Sequence, residues 1–260
     1  MKFVYKALCV LCSFFILTIV TCATKNSVSW YCKRNSTHAQ PILGADLKFC
    51  EDYEVYWCDK NHKSMQEKDK VIYLTFDAGY ENGNVERILN VLKEEQVSGA
   101  FFILDNMILK NKNLVERMIN EGHIVGNHTL KHKDMTKVND INSFNKELND
   151  LEKLYNEEFN KEMPKYYRPP EGKFNEQNLK WATELGYKTV MWSFAYADWD
   201  NGRQPSAEYA KKKILDNIHN GEVMLLHPTS STNAKIIKEI IQELKSQGFR
   251  FGTLDELCNQ

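Results

Sequence analysis

From Lys70 onward the chain repeats one unit, an uninterrupted apolar run followed by a helical face, and that alternation admits few folds. "VIYLTF" is apolar on nearly every residue, so both faces of the strand it forms must be buried. Behind it, Val85, Ile88, Leu89 and Leu92 recur at the spacing of one helix face, and "AFFIL" is a strand again. Leu114, Val115, Met118 and Ile119 precede "HIVG", and Phe144, Leu148, Leu151 and Tyr155 precede "YY". Leu179, Ala182 and Leu185, stopped by Gly186, lead to "KTVMWSF". Ala210, Ile214 and Ile218 lead to "EVMLL", and Ile237, Ile240, Ile241 and Leu244 to "FRFGTL". The alternation predicts an α/β fold, a parallel sheet covered by helices, either an open doubly wound sheet or a barrel.

The unit divides the chain into residues 1–23, 24–69 and 70–258. In the first, Lys2 and Lys6 precede an apolar run from Ala7 to Val20, the order of a secretory signal. The run is short against the roughly 20 residues of a membrane span, and a signal peptide, an N-terminal anchor and a lipoprotein site at Cys22 stay open. Residues 24–69 are polar and irregular, which predicts an extension packed loosely on the domain. Cys32, Cys50, Cys58 and Cys258 lie beyond the leader. Their even number permits disulfides in an exported chain, Cys50 with Cys58 being the most local pairing, and free thiols are the alternative. With 34 basic against 35 acidic side chains the charge excludes the electrostatic footprint of a nucleic-acid binder.

The chemically able residues fall in one class of place. Asp77 follows "VIYLTF", Asn127 and His128 follow "HIVG", Arg168 follows "KYY", Asp198 follows "MWSFAYA", and His227 follows "VMLL". Each stands just past the carboxyl end of a strand, the edge where active sites of barrels and open α/β sheets assemble. His128 and His132 in "GNHTLKHKD" are four apart, so on a helical turn their imidazoles would share a face and bind one metal ion. Taken singly, each has an ordinary reading: Asp77 a turn acid, Arg168 a structural arginine in "RPPEG", His227 strand-end polarity.

Taken in order, strand-Asp, His-x-x-x-His, Arg-Pro-Pro-x-Gly, Asp-Trp and Leu-Leu-His resemble the motifs of the NodB-homology polysaccharide deacetylases, carbohydrate esterase family 4, over about Lys70 to Leu257. "TFDAGYENG", "RPPEG", "WSFAYADWD" and "LLHPTSSTNA" look most like the branch that deacetylates muramic acid on the way to the δ-lactam of spore cortex. The resemblance implies a distorted (β/α) barrel. It implies that Asp77 is the base that takes a proton from water, that Arg168 holds that base, and that His227, oriented by Asp198, protonates the leaving amine. It also implies that His128 and His132 bind a divalent metal, zinc being the expected ion, and that Tyr167, Trp199 and Leu225 bind substrate. Backbone N–H groups after Tyr167 are expected to stabilise the oxyanion, although Pro169 and Pro170 have none.

Amide hydrolysis needs those residue types: a base for water, a donor or Lewis acid for the carbonyl oxygen, and a proton for a poor leaving group. One position departs. Most of the family has a second Asp as metal ligand where this chain has Ala78, so the resemblance implies a weakly held ion. The expected function is an exported N-deacetylase of peptidoglycan glycan strands, in the cell envelope or outside the cell, touching the membrane only through the N-terminal segment. The alternatives are a deacetylase of chitin, xylan or N-acetylglucosamine, and a non-catalytic glycan-binding homologue. Lys173, Arg203, Ser230, Ser231 and Thr232 are candidates for the lactyl carboxylate of muramic acid.

Overall fold

A computed structural model of the chain describes residues 27–33 and 37–259; the leader expected over residues 1–23 lies outside them. In chain order the strands are β1 (Val28–Ser29), β2 (Val55–Tyr56), β3 (Lys70–Ala78), β4 (Ala100–Ile103), β5 (Ile124–Asn127), β6 (Tyr166–Tyr167), β7 (Lys173–Phe174), β8 (Lys188–Val190), β9 (Glu222–Leu226) and β10 (Phe249–Phe251). The helices are α1 (Asn84–Glu94), α2 (Asp105–Lys110), α3 (Lys112–Asn120), α4 (Ile141–Phe159), α5 (Glu176–Glu184), α6 (Ala207–Leu215), α7 (Ser231–Ser246) and α8 (Leu254–Cys258).

The runs read as buried strands pair in parallel. β3 pairs β4, β4 pairs β5, β5 pairs β6 and β6 pairs β8. β10 lies ahead of β4 on the same edge of β3, beside its first residues, and β9 runs along the other edge, beside its middle. The chain leaving β8 then meets β9. Ser193 and Phe194 donate their N–H groups to the Val223 carbonyl at 3.0 and 3.2 Å, and the Leu225 N–H donates to the Phe194 carbonyl at 2.8 Å. That seam joins the two ends of the sheet, which curls into a distorted (β/α) barrel and resolves the open-sheet alternative. Every strand-end residue named above comes to one rim of it.

The helical faces are those the spacing predicts: Val85, Ile88, Leu89 and Leu92 are the buried residues of α1, and Phe144, Leu148, Leu151 and Tyr155 those of α4. After α5, Gly186 takes φ +80°, the left-handed conformation that ends a helix at low cost. α2 has no sequence signal, because six residues are too few to display a helical period.

Residues 27–69 are not the loose extension expected. β1 pairs β7, and β2 extends the barrel sheet beside β8. Trp30, Leu47, Cys50, Val55, Trp57 and Cys58 form a buried cluster with Phe174 and Leu179. A few large apolar side chains spread through a polar segment have no period to read, yet each buries much area. Cys50, Cys58 and Cys258 are thiols rather than disulfide partners, each pushed up to about 12 by burial. The Cys32 thiol donates to the Trp192 carbonyl at 3.0 Å.

Gly221 fastens this segment beneath the barrel. It has φ +72°, its carbonyl accepts from the Asp59 N–H at 2.8 Å, and a Cβ there would stand 2.6 Å from the Asp59 carbonyl oxygen and 2.7 Å from that of His62. Both obstacles are backbone, so neither moves cheaply. Gly221→Ala is expected to destabilise the protein by roughly 2–4 kcal/mol, from left-handed strain and overpacking together. Denaturant unfolding measures it, and a change below about 0.5 kcal/mol would show the segment to be loosely held after all.

Candidate active site

Asp77 and Arg168 form the buried half of the site. Arg168 is fully buried at the end of β6, with four hydrogen bonds around its guanidinium. Nη1 donates to Asp77 Oδ1 at 2.9 Å, Nε to the Val190 carbonyl at 2.9 Å, and Nη2 to Thr75 Oγ1 at 2.9 Å and the Met191 carbonyl at 3.2 Å. Its plane lies 4.2 Å from the centre of the Phe102 ring. Burial by itself would raise the Asp77 carboxyl. The charges of its neighbours, His128 when protonated, Arg168 and His227, outweigh burial and hold Asp77 below the ordinary carboxylate range.

His128 and His132 do come together, with ring centres 5.0 Å apart, but not on the helical turn expected. Thr129 and His132 have φ of +70° and +55°, so the segment is an irregular loop. It is held by the Thr129 N–H donating to Asn127 Oδ1 at 2.9 Å and the Leu130 N–H to the Glu147 carbonyl at 3.1 Å, and by a Lys131–Asp105 ion pair. The reach of a loop thus replaces helical spacing. His128 Nδ1 lies 2.8 Å from the Arg168 carbonyl, which can only accept, so Nδ1 carries the hydrogen and Nε2 the lone pair. Burial lowers His128 to about 4 and keeps it neutral. Its Nε2 then faces Asp77 Oδ2 at 3.6 Å, two acceptors side by side, an arrangement that a cation would relieve. Among the described residues no three His, Cys, Asp or Glu side chains stand together as a complete ligand set. Ala78 is fully buried in the apolar core and supplies no donor. The two imidazoles therefore fit an exchangeable divalent ion rather than a tightly caged one.

Asp198 and His227 form the second half. Asp198 Oδ1 accepts from His227 Nδ1 at 2.7 Å and Oδ2 from the His227 backbone N–H at 2.9 Å. This leaves His227 Nε2 for the cleft. Burial lowers the His227 pKa, and the hydrogen bond and charge of Asp198, with the charge of Asp77, more than reverse that and place it above the ordinary imidazole value. The loop "GYENG" and the start of α1 are tied to the loop after His227, because Asn82 and Asn84 each donate Nδ2 to the Thr229 carbonyl, at 2.9 and 3.0 Å.

These groups line a cleft of about 690 Å³, within the range of small-ligand sites, whose walls include Asp77, His128, His132 and His227 together with Tyr80, Trp192, Tyr196, Trp199 and Leu225. Trp199 is 60% exposed, with its ring centre 6.2 Å from that of His227, an exposed aromatic ring beside the imidazole. Tyr167 does not line the cleft. Neighbouring residues of a strand point to opposite faces, so with Arg168 turned inward the Tyr167 ring is buried against Phe144 and Tyr187 under the helices. The Arg168 N–H is taken by the Asn127 carbonyl, so the first backbone N–H available after Tyr167 is that of Glu171, which lines the cleft at φ +56°.

Of the candidates for a substrate carboxylate, Lys173 is paired with Glu171, the Ser230 hydroxyl with Gln204, and the Thr232 hydroxyl with the Pro205 carbonyl. Arg203 and Ser231 are exposed and outside the cleft lining. Sequence reasoning passed over Thr75, Tyr80 and Asn233. Thr75 and Asn233 read as an ordinary strand residue and an ordinary first-turn residue, and only their buried partners reveal them. Tyr80 carried a faint signal, an aromatic in a polar turn after a buried strand.

Similarity to known proteins agrees with this geometry. The polysaccharide deacetylase family profile matches residues 64–190. The peptidoglycan-N-acetylmuramic acid deacetylase PdaA of Bacillus subtilis is 36% identical over 231 residues, 88% of this chain and 85% of that one. A peptidoglycan-N-acetylglucosamine deacetylase of Bacillus cereus is 35% identical over 190 residues, 72% of this chain and 67% of that one. The solved structure of Bacillus subtilis PdaA, described as a family 4 carbohydrate esterase, matches with a TM-score of 0.83, covering 90% of this chain and 97% of that one. On fold, sequence and the residues gathered at the barrel rim, the chain belongs to the polysaccharide deacetylases of carbohydrate esterase family 4, hydrolases of carbon–nitrogen amide bonds.

Proposed function

We propose that the protein is an exported peptidoglycan deacetylase that removes acetyl from N-acetylmuramic acid, in the formation of the muramic δ-lactam of spore cortex. The observation that carries the chemistry is the pairing of opposites in one cleft, a carboxylate held ionised by Arg168 and an imidazole held protonated by Asp198. The muramic-acid assignment is supported by "TFDAGYENG" and "LLHPTSSTNA", and by the activity named for PdaA, a relative alike over most of both chains. Export is supported by the charged and apolar order of the first residues.

His128 and His132 would hold a divalent ion, zinc being the expected one, and its chemistry there is to polarise the acetamide carbonyl. The protein's own groups do the rest. Asp77 Oδ2, the oxygen not engaged by Arg168, takes a proton from the attacking water, and the Glu171 N–H steadies the developing oxyanion. His227 Nε2 gives its proton to the amine nitrogen as the carbon–nitrogen bond breaks. The acetic acid formed passes its own proton to the freed amine, so acetate and an ammonium group leave, and the water's proton on Asp77 restores His227 for the next turnover. Trp199, Tyr80 and Leu225 face the sugar.

The test is mass measurement of sugars after incubation with peptide-stripped peptidoglycan and with chitin oligomers, with and without a chelator. Acetyl loss from muramic acid that the chelator stops is expected. Loss confined to N-acetylglucosamine would overturn the muramic-acid assignment and leave the deacetylase standing.

Turnover should stay level as pH rises through the ordinary imidazole value of about 6.5 and fall only above it, because His227 is the acid and its pKa is raised. A fall centred below that value removes His227 from the role. In calorimetric titration, His128→Ala and His132→Ala should each abolish zinc binding, and Ala78→Asp should tighten it about tenfold or more by adding a charged oxygen. Unchanged affinity in Ala78→Asp would mean that position 78 does not reach the ion.

A further inference from the structure

We propose that Asn233 is a positioning residue that sets the acid strength of His227 by holding the far oxygen of Asp198, and that Tyr196 locks Asn233 in place from the cleft wall. The inference rests on the deacetylase reading above. Asn233 is fully buried in the first turn of α7, beyond the cleft lining. Its Nδ2 lies 2.6 Å from Asp198 Oδ2 and 3.1 Å from the His227 carbonyl oxygen. Both partners can only accept, so the nitrogen of the amide must face them and Oδ1 must face away. Oδ1 there accepts from the Tyr196 hydroxyl, and the Asn233 N–H donates to Ser230 Oγ at 3.1 Å. With both ends of the amide bonded, it has one orientation.

Asp198 therefore accepts on both oxygens, and the two sides do different work. Oδ1 receives the His227 ring, whereas Oδ2 receives Asn233 and the His227 backbone. Each donor on Oδ2 draws negative charge from Oδ1, so Asn233 limits how tightly the imidazole holds its proton. A general acid has to hold its proton until the amine needs it and then release it, which makes that limit part of catalysis. The other charges facing His227 are Asp77 from β3 and Arg168 from the end of β6, and neither touches Asn233. Tyr196 is buried yet lines the cleft, so the amide is steadied by a residue that forms the wall beside the substrate.

Asn233→Leu keeps the volume and removes the donor. Its kcat for acetate release is expected to fall about tenfold or more with KM changed less than about twofold. The alkaline limb of kcat and the titration of the His227 ring followed by NMR should both move up by about half a pH unit. Wild-type protein is assayed alongside. If the wild type releases no acetate, the deacetylase reading fails, and the ring titration, which needs no substrate, still decides the role of Asn233. An unmoved ring titration overturns the proposal, as does a raised KM with kcat unchanged. Should the leucine variant not fold, Tyr196→Phe decides in its place: the amide loses the bond that fixes its far end and holds Asp198 less firmly, the ring titration shifts up and kcat falls, and an unchanged pH profile overturns the proposal.

Discussion

A guanidinium sealed from water must find partners for the hydrogens it carries, and Arg168 draws them from most of the barrel. It leaves β6, binds Asp77 and Thr75 on β3, reaches the carbonyls of Val190 and Met191 at and beyond the end of β8, and lies over Phe102 on β4. Thr75 passes the connection on, donating to the Met224 carbonyl on β9 at 2.8 Å. The registers of five strands thus converge on one side chain. Lysine has neither the planar fork nor the number of donors to replace it. Loss of either charge would leave the other buried and uncompensated, at a cost of about 3–5 kcal/mol. The group that holds Asp77 at the cleft is also a fastening of the fold.

The same low-dielectric setting drives two neighbouring groups in opposite directions. Burial disfavours charge on both Asp77 and His227, and in each case a specific partner reverses the sign, Arg168 for the acid residue and Asp198 for the imidazole. His128 is the contrast. Burial there outweighs both the charge of Asp77 and the carbonyl bonded to its ring, so it stays uncharged with its lone pair turned to the cleft. Three polar groups at one rim, buried or partly so, therefore have three protonation habits, set by whether a partner outweighs burial.

How much of this could be read in advance follows from what each signal measures. Apolar runs and helical faces report burial, so strands such as "VIYLTF" and "EVMLL" and helices such as α1 and α7 were legible to within a few residues. Strand ends give position along the barrel axis, which is why Asp77, Arg168, Asp198 and His227 could be gathered to one rim. Spacing says little about irregular backbone. His128 and His132 meet through left-handed residues that no periodicity announces. Orientation within a short strand was equally hidden, and Tyr167 turned outward because its neighbour Arg168 turned in. Thr75 and Asn233 act through partners far away in the chain, and nothing local marks such residues. Residues 27–69 escaped for a similar reason, since their few large side chains pack against Phe174 and Leu179 rather than one another alone.

The seam that closes the barrel also orders its assembly in time. β3 lies early in the described chain, yet one edge of it belongs to β9 and the first residues of the other to β10, with Ile72 paired to Glu222 and Lys70 to Phe249. A chain emerging from its amino end therefore carries a strand with half its backbone groups unmet until the last third has been made, and pairings so distant in sequence form slowly. The central strand waits longest for its neighbours, and Asp77 stands at the end of that strand. The two halves of the rim, Asp77 at the end of β3 and His227 at the end of β9, therefore come together only when β9 docks.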